Sequence, residues 1–580
     1  MPPGTLASLG THRSCLDRLA RHSLSPGRVS TAPAKAPDEP SLRRSVTPWG
    51  SFSWGYSDVG ADIFVGLGLV LGAAAGASNV AFLFAGLVYV CIGLAYTELA
   101  AAYPVAGGGQ YFVFRGLGDI FGFIAGWAVL LDFTIDIVLF AWSCIDYLSK
   151  LVPILSFTAH PWTHFLVVFS LIAGLALLNI IGVRESSAFN ELVSGMDVFS
   201  ETAILFFGFL FAFQPHLLIH TMSTSWPTPF NLMNGVSLAI ISFVGLESIS
   251  QAAQETQRPA SVIPRTSISL ILTILIFALA YSNLALGMQP WHVIPPDAHG
   301  HAQALWQYLG NEENNGAAVA VLASNVPYYG AIASLYVPVL GAILLLISSN
   351  SGVFGSSRIA YAMSGTQLLP SMFQKVHPKY RTPAISIVTF CGFAIVELIF
   401  AALPSLSPPV RAIYGRLFRG EDGITFLGDL YAFGAAASYS FVFVALVALR
   451  LNDSQSPRRF KMPFNIPFTY KGNRVEFPVI AVVGFMGIVS ILVFTMITHE
   501  IGRVAGPSWI ILGLIGYLVY RKRKGLPVFG SQRHDWRRAQ VNILQAAGEL
   551  EMMDEYLANV KGMDERRALA AARAGRAPRA

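Results

Sequence analysis

Along most of the 580-residue chain, apolar positions do not alternate with polar ones but run together. Twelve such runs stand out, at about 56–77, 79–101, 118–149, 162–183, 193–213, 234–254, 265–288, 331–363, 383–403, 424–449, 477–499 and 507–521. An α-helix needs about 20 apolar residues to cross a hydrocarbon core, and only the last run falls clearly short. Helices are the only open-chain way to satisfy the backbone in lipid. The pattern therefore predicts an all-α membrane protein of about twelve transmembrane helices. Residues 1–50 are rich in Ser, Pro and Arg and have no signal-peptide core, so a disordered cytoplasmic tail is expected there. Helices 1–10 fall within 51–450 and helices 11–12 within 451–524. Residues 525–580 are charged and Ala-rich, with Leu544, Leu550, Met553, Leu557 and Val560 at roughly helical spacing. They form either an amphipathic helix lying on the protein or bilayer surface or a partly ordered, solvated tail.

Composition agrees with this reading. Only 12% of residues are charged and 54% are hydrophobic, whereas an ordinary soluble chain is about 25% charged. That excludes a conventional soluble enzyme, and 40 Phe with 52 Gly exclude a disordered chain. The four cysteines (Cys15, Cys91, Cys144, Cys391) are far apart and show neither metal spacing nor a disulfide framework. The net charge of +6 comes from residues outside the apolar runs, so it reports membrane orientation and not nucleic-acid binding. With both termini on one side, that side holds seven basic residues of 1–50, Arg115, Arg184, Arg258, Arg265, Arg358, the basic cluster 450–474 and Arg521 to Lys524. The other side holds only Lys150, Arg411, Arg416, Arg419 and Arg503. The positive-inside bias places both termini in the cytoplasm; a plasma (cell or inner) membrane is the expected location.

Ionisable groups inside the spans carry the chemistry, because each costs about 2.5–3.5 kcal/mol at mid-membrane on insertion scales. They are nearly all acids: Asp58 and Asp62 in span 1, Asp132 and Asp136 in span 3, Asp197 and Glu201 in span 5, and Glu247 in span 6. Asp132 and Asp136 share a helix face; they hold a proton between them, bind a cation, or place one acid in a solvated vestibule. Asp197 and Glu201 repeat the spacing nearer the cytoplasmic end, as a relay or at a solvated position. Span 1 reads Gly55-Tyr56-Ser57-Asp58-Val59-Gly60-Ala61-Asp62-Ile63-Phe64-Val65-Gly66-Leu67-Gly68. Such a run either breaks the helix and frees backbone groups for a ligand or packs closely through small residues. Span 6 offers a matching break at Phe243-Val244-Gly245-Leu246-Glu247. Five histidines, His216, His220, His292, His299 and His301, fall in predicted external loops. Nothing in the sequence forms a metal-ligand cluster, a nucleophile–base set or a phosphate loop, so neither an enzyme nor a cofactor is expected.

Three strings carry a family resemblance. The first is Glu98-Leu99-Ala100-Ala101-Ala102-Tyr103-Pro104-Val105-Ala106-Gly107-Gly108. The second joins Phe243 to Glu247 with Gln254-Glu255-Thr256-Gln257-Arg258-Pro259 and Ile263-Pro264-Arg265. The third runs from Ser348-Ser349-Asn350-Ser351 through Ser357-Arg358 and Leu369-Pro370 to Thr382-Pro383. In order and separation they resemble the amino acid–polyamine–organocation permease superfamily, amino acid permease type, over about residues 50–450. The resemblance implies a five-plus-five inverted-repeat (LeuT-like) core with two extra helices, and alternating access around broken helices 1 and 6. It implies substrate binding by Ser57, Val59, Gly60 and Ala61 on span 1 and by Phe243, Gly245 and Glu247 on span 6. Ion coupling then falls to Asp58, Asp62, Asp132, Asp136, Asp197 and Glu201, with no metal site.

The chain departs from the family pattern where Asp62 replaces a glycine of span 1, and span 5 lacks the lysine found in many proton-coupled members. The expected function is proton-coupled uptake of amino acids or related amines, with protons or cations and the lipid bilayer as its other partners. The alternative is proton-coupled potassium uptake, a branch of the same superfamily whose acidic ligands Asp58, Asp132 and Glu247 would match.

Overall fold

The computed structural model describes residues 46–105, 107–182, 187–251, 253, 255–296, 300–407, 409–411, 423–471, 473–528 and 534–573. The predicted N-terminal tail thus lies almost wholly outside the described residues, as do Arg184, Gln254, His299, Arg416 and Arg419.

The first helix, α1 (Pro48–Ala74), begins eight residues before the apolar run does. Its start is set by local chemistry: Pro48 occupies the first turn, and the Thr47 hydroxyl accepts the Gly50 N–H at 3.0 Å. A 3-10 turn, Ala75–Ala77, separates it from α2 (Ser78–Ala102). There follow α3 (Gly108–Leu117), α4 (Asp119–Ser149), α5 (Pro161–Ile181), α6 (Ser187–Phe211), α7 (Pro215–Thr224), α8 (Pro229–Ala239), the short α9 (Glu247–Gln251) and α10 (Pro259–Gly287). The chain continues through α11 (Leu305–Gly310), α12 (Ala318–Ser324), α13 (Gly330–Gly365), α14 (Ala384–Leu406) and α15 (Gly423–Asn452). It ends in α16 (Val479–Thr498), α17 (Gly502–Arg523), α18 (Trp536–Ala547) and α19 (Leu550–Arg573). Among the described residues, eleven stretches are long and apolar enough to span a bilayer, and the first of them, Pro48–Ala102, is two helices. The short twelfth run proves to be part of α17, which is 22 residues long.

The packing follows a rule of five. Span 1 (α1) lies against the two halves of span 6, span 2 (α2) against span 7 (α10), span 3 (α4) against span 8 (α13), and span 4 (α5) against span 9 (α14). Each of these helices of the first five-helix unit thus pairs with its counterpart in the second, as an inverted repeat requires. Spans 11 and 12 (α16, α17) stand outside, α16 against α15, α8 and α2, and α17 against α4 and α15. Large apolar side chains remain exposed on the outer helices, among them Phe199 at 75% and Leu512 at 68%; a hydrocarbon surround accounts for them. Trp127 of α4 and Trp509 of α17 stack with centroids 4.8 Å apart, and each indole N–H donates to the other residue's carbonyl at 2.9 Å.

One element departs from the all-helical expectation: a two-stranded hairpin, β1 (Asn465–Tyr470) and β2 (Asn473–Pro478), between spans 10 and 11. It is pinned by Arg450, whose guanidinium donates to Asn465 Oδ1 at 2.6 Å and to the Glu476 carbonyl at 3.0 Å. The helices α18 and α19 dock at the same end of the bundle. Gln540 donates to the Ala102 carbonyl at 3.0 Å and accepts from Arg115 at 2.6 Å, and Leu544, Met552 and Tyr556 are buried against Ala260. Leu550 and Leu557, expected on the apolar face, are about half exposed at 55% and 46%. The buried stripe of α19 is set by Met552 and Tyr556, four residues apart, which turns Leu550 and Leu557 outward.

This C-terminal end is tied by buried ion pairs. Glu98, fully buried, receives the Arg450 guanidinium and the Met462 N–H (2.9 Å), with Arg458 Nε at 3.3 Å. Removing one partner of a buried pair costs about 3–5 kcal/mol, because the other charge stays uncompensated. Glu98→Ala should therefore sharply lower the thermal midpoint of the purified protein in detergent, whereas Lys461→Ala, in an exposed pair with Glu476, should shift it little.

Candidate functional site

The site is built around a single break. α8 tightens into a 3-10 turn over Ile240–Phe243, Val244 is extended (φ −87°, ψ 166°), and Gly245 takes φ +97° before α9 starts at Glu247. Only glycine reaches that φ without strain. A Cβ on Gly245 would also sit 3.1 Å from Asp58 Oδ2. The break expected in span 6 is thus present.

The break expected in span 1 is not. Ser57, Val59, Gly60 and Ala61 lie in the middle of the unbroken α1, where backbone N–H and C=O groups bond each other. The glycines serve close approach instead: a Cβ at Gly66 would strike Ser242, one at Gly68 the Asn315 backbone, and one at Gly72 the Gly310 carbonyl at 2.8 Å. Glycine permits both a kink and tight packing, and here the neighbours use it for packing.

Five acids from spans 1, 3 and 6 meet at the span 6 break, each at most 3% exposed: Asp58, Asp62, Asp132, Asp136 and Glu247. Ser248 Oγ donates to Asp58 Oδ2, and Ser348 Oγ reaches Asp58 Oδ1 at 3.5 Å. Tyr439 donates its hydroxyl proton to Glu247 Oε2 at 2.7 Å and accepts the Gly245 N–H at 3.3 Å. Asp132 faces Glu247, and Asp136 faces the Tyr431 hydroxyl. Both oxygens of Asp62 and the hydroxyls of Tyr89 and Tyr96 have no hydrogen-bond partner although buried. Phe243 closes the group, stacked on Tyr89 with centroids 5.1 Å apart. The nearby arginines are committed elsewhere: Arg115 to Asp453, Arg358 to Glu255, Arg450 to Glu98 and Arg521 to Asp119. Among the described residues, no three His, Cys, Asp or Glu side chains are drawn close enough to hold a metal ion together.

The third acidic pair lies on the other side of α1. Tyr56 is placed between Asp197 Oδ2 (3.0 Å) and Glu201 Oε2 (2.7 Å), and both acids are fully buried. The solvated alternative for this pair is therefore not what the fold provides. One phenolic proton cannot serve two carboxylates at once, so one of the pair must carry a proton of its own or leave a contact unmade.

Several contributors were not legible beforehand. Tyr89, Tyr96, Tyr439 and Ser248 are ordinary residues in apolar runs, and nothing local marks them as facing acids; Ser348 opens the third family string, which names no partner for it.

A model described as amino acid permease matches residues 47–520. The chain belongs to the amino acid permease family. Among curated relatives, this permease is 25% identical over 504 residues to the branched-chain amino acid permease BcaP of Bacillus subtilis (strain 168), covering 84% of this chain and 94% of that one. It is 27% identical to the cationic amino acid transporter 4 of Mus musculus, covering 72% of this chain and 62% of that one. Among solved structures, it resembles a mutant of the manganese transporter of Eremococcus coleocola, with 16% identity, 89% and 95% coverage of the two chains and a TM-score of 0.44. The family and its relatives are permeases, and the permease is a multi-pass membrane protein.

The geometry of the break makes a direct prediction. Gly245→Ala forces a side chain into a left-handed conformation and against Asp58, at a cost above about 1 kcal/mol. Transport by Gly245→Ala should fall far more than its surface expression, whereas Gly174→Ala, which faces open space, should leave both unchanged.

Proposed function

We propose that this permease is a secondary transporter that takes up amino acids or related amines together with protons, by alternating access about the Val244–Gly245 break. The single observation that supports the reading is the meeting of Asp58, Asp62, Asp132, Asp136 and Glu247 at the break with no lysine or arginine among them. Carboxyl groups buried in hydrocarbon without a positive partner need a proton or a cation to neutralise them. A substrate ammonium and a coupled proton both meet that need.

Glu247 and Asp132 are assigned to the substrate amine, and Phe243, Tyr89 and Tyr96 to its side chain. Asp58, Asp62 and Asp136 hold coupled protons, and Asp197 and Glu201 with Tyr56 form a second proton-holding group across α1. The family's other contact, a substrate carboxylate on the span 1 backbone at Ser57, Val59, Gly60 and Ala61, requires α1 to open there during the cycle. The end bearing α18 and α19 faces the cytoplasm, in line with the arginine- and lysine-rich segments gathered there, and the membrane is the cell membrane.

Purified permease in proteoliposomes tests the reading. An inside-alkaline gradient should drive accumulation of a labelled amino acid from a broad panel, and collapsing the gradient with a protonophore should abolish it. Asp132→Asn should lower the initial rate by roughly tenfold or more, equivalent to about 1.4 kcal/mol. Failure to accumulate any member of the panel, or uptake that follows potassium and ignores the pH gradient, would overturn it.

A further inference from the structure

The hairpin between spans 10 and 11 has two faces of opposite character. Side chains alternate along a strand, and cross-strand partners project to the same side. In the observed register Ile466, Phe468 and Tyr470 share one face with their partners Phe477, Val475 and Asn473. The other face carries Asn465, Pro467 and Thr469 with Pro478, Glu476 and Arg474. The rings of Phe468 and Phe477, diagonal neighbours on the apolar face, meet edge to face with centroids 6.4 Å apart.

The protein holds this element by its polar side. Arg450 takes Asn465 Oδ1 and the Glu476 carbonyl, and Lys461 takes the Glu476 carboxylate at 2.8 Å. The apolar side is left largely open: Ile466 is 57% exposed, Phe468, Tyr470 and Phe477 are half-buried, and Val475 is covered. Phe464, just before β1, is 76% exposed, and its backbone is left-handed at φ +55°, a conformation that a ring-bearing residue rarely takes. A lone two-stranded hairpin is marginal in water unless one face is covered. Phe464 and Ile466 receive little of that cover from the described residues.

Position and charge say what covers them. The Phe464 carbonyl accepts the N–H of Val479, the first residue of span 11, at 3.1 Å. Val482 and Val483, in the first turn of that span, are exposed as lipid-facing residues are. The base of the hairpin therefore lies where span 11 enters the membrane. At the tip stand Lys471 and Arg474, and the Lys471 ammonium lies 4.9 Å from the centre of the Tyr470 ring, beside the apolar face. Glu476, the single acid of 465–478, is engaged by Lys461, and among the described residues neither Lys471 nor Arg474 forms an ion pair.

We propose that this hairpin is a lipid-binding surface, with Phe464 and Ile466 set among the acyl chains and Lys471 and Arg474 on the phosphates of anionic phospholipid headgroups. An element with one apolar face and basic ends sits at the boundary between headgroups and acyl chains. Long basic side chains reach from there to the phosphates, and an anionic surface attracts them. The proposal does not draw on proton-coupled uptake. Only its assignment to the cytoplasmic leaflet rests on the orientation proposed above.

The test places a nitrobenzoxadiazole label on the full-length permease at I466C, on the apolar face, or at T469C, on the polar one, both exposed positions. The unsubstituted protein, carried through the same labelling, gives the background from native cysteines. The vesicles contain phosphatidylcholine, phosphatidylglycerol and a lipid bearing a spin-label quencher. Emission from 466 should be shifted to the blue and quenched, and emission from 469 should remain that of a label in water. Equal quenching at the two positions would overturn the proposal. So would a blue shift at 466 without quenching, which reports burial against protein, a second copy of this chain included. The charge reversal K471E/R474E should abolish the extra quenching at 466 that phosphatidylglycerol gives over phosphatidylcholine alone. Undiminished quenching in the reversed protein would equally overturn it. The measurement needs no transport, so its failure and that of proton-coupled uptake are told apart.

Discussion

Negative charge that hydrocarbon will not tolerate is the constraint on which the rest of this permease depends. Three spans deliver acids to one place, and among the described residues no basic side chain is supplied to meet them. Hydroxyls do part of the work: Ser248 and Ser348 at Asp58, and Tyr439 at Glu247. Close backbone approach does the rest. Each of three acids faces a glycine on another span: Gly245 at Asp58, Gly434 at Asp132 and Gly352 at Asp136, where an added Cβ would lie 3.0 to 3.2 Å from the acidic residue. Of the three, Gly245 approaches the carboxyl itself, at Asp58 Oδ2, while Gly434 and Gly352 approach the backbone and Cβ of Asp132 and Asp136.

The two ends of the bundle are held by different chemistry. At one end, guanidiniums meet carboxylates at Glu98, Asp119, Glu255 and Asp453. Arginine keeps its charge at every accessible pH. At the other end, imidazoles lie against carboxylates, His499 near Asp429 and His164 beside Asp146 at 3.1 Å.

Much of the fold was legible in the sequence because the bilayer imposes a local rule on length and apolarity. The spans were found for that reason, and their errors lie where the rule weakens. α1 starts at Pro48 because Trp49-Gly50-Ser51-Phe52-Ser53-Trp54 mixes apolar with small polar residues while remaining helical. The hairpin at 465–478 went unread although Lys471-Gly472-Asn473 between two apolar-polar alternations is a turn signal. The acids of the site were legible because charge in a span is rare, and Gly245 because a break needs positive φ. The unbroken α1 was not, since only the position of Ser242, Asn315 and Gly310 shows what its glycines are for.

The reciprocal pair of Trp127 and Trp509 has a consequence for observation. Span 12 lies outside the repeated core, and these two indoles join it to span 3, the helix that carries Asp132 and Asp136. Their rings are nearly parallel, with 15° between planes, so their electronic transitions couple and the coupling falls steeply with separation. A shift of span 3 against its outer neighbour during turnover would alter near-ultraviolet circular dichroism without any attached dye. The chain carries its own optical gauge on the helix that bears Asp132 and Asp136.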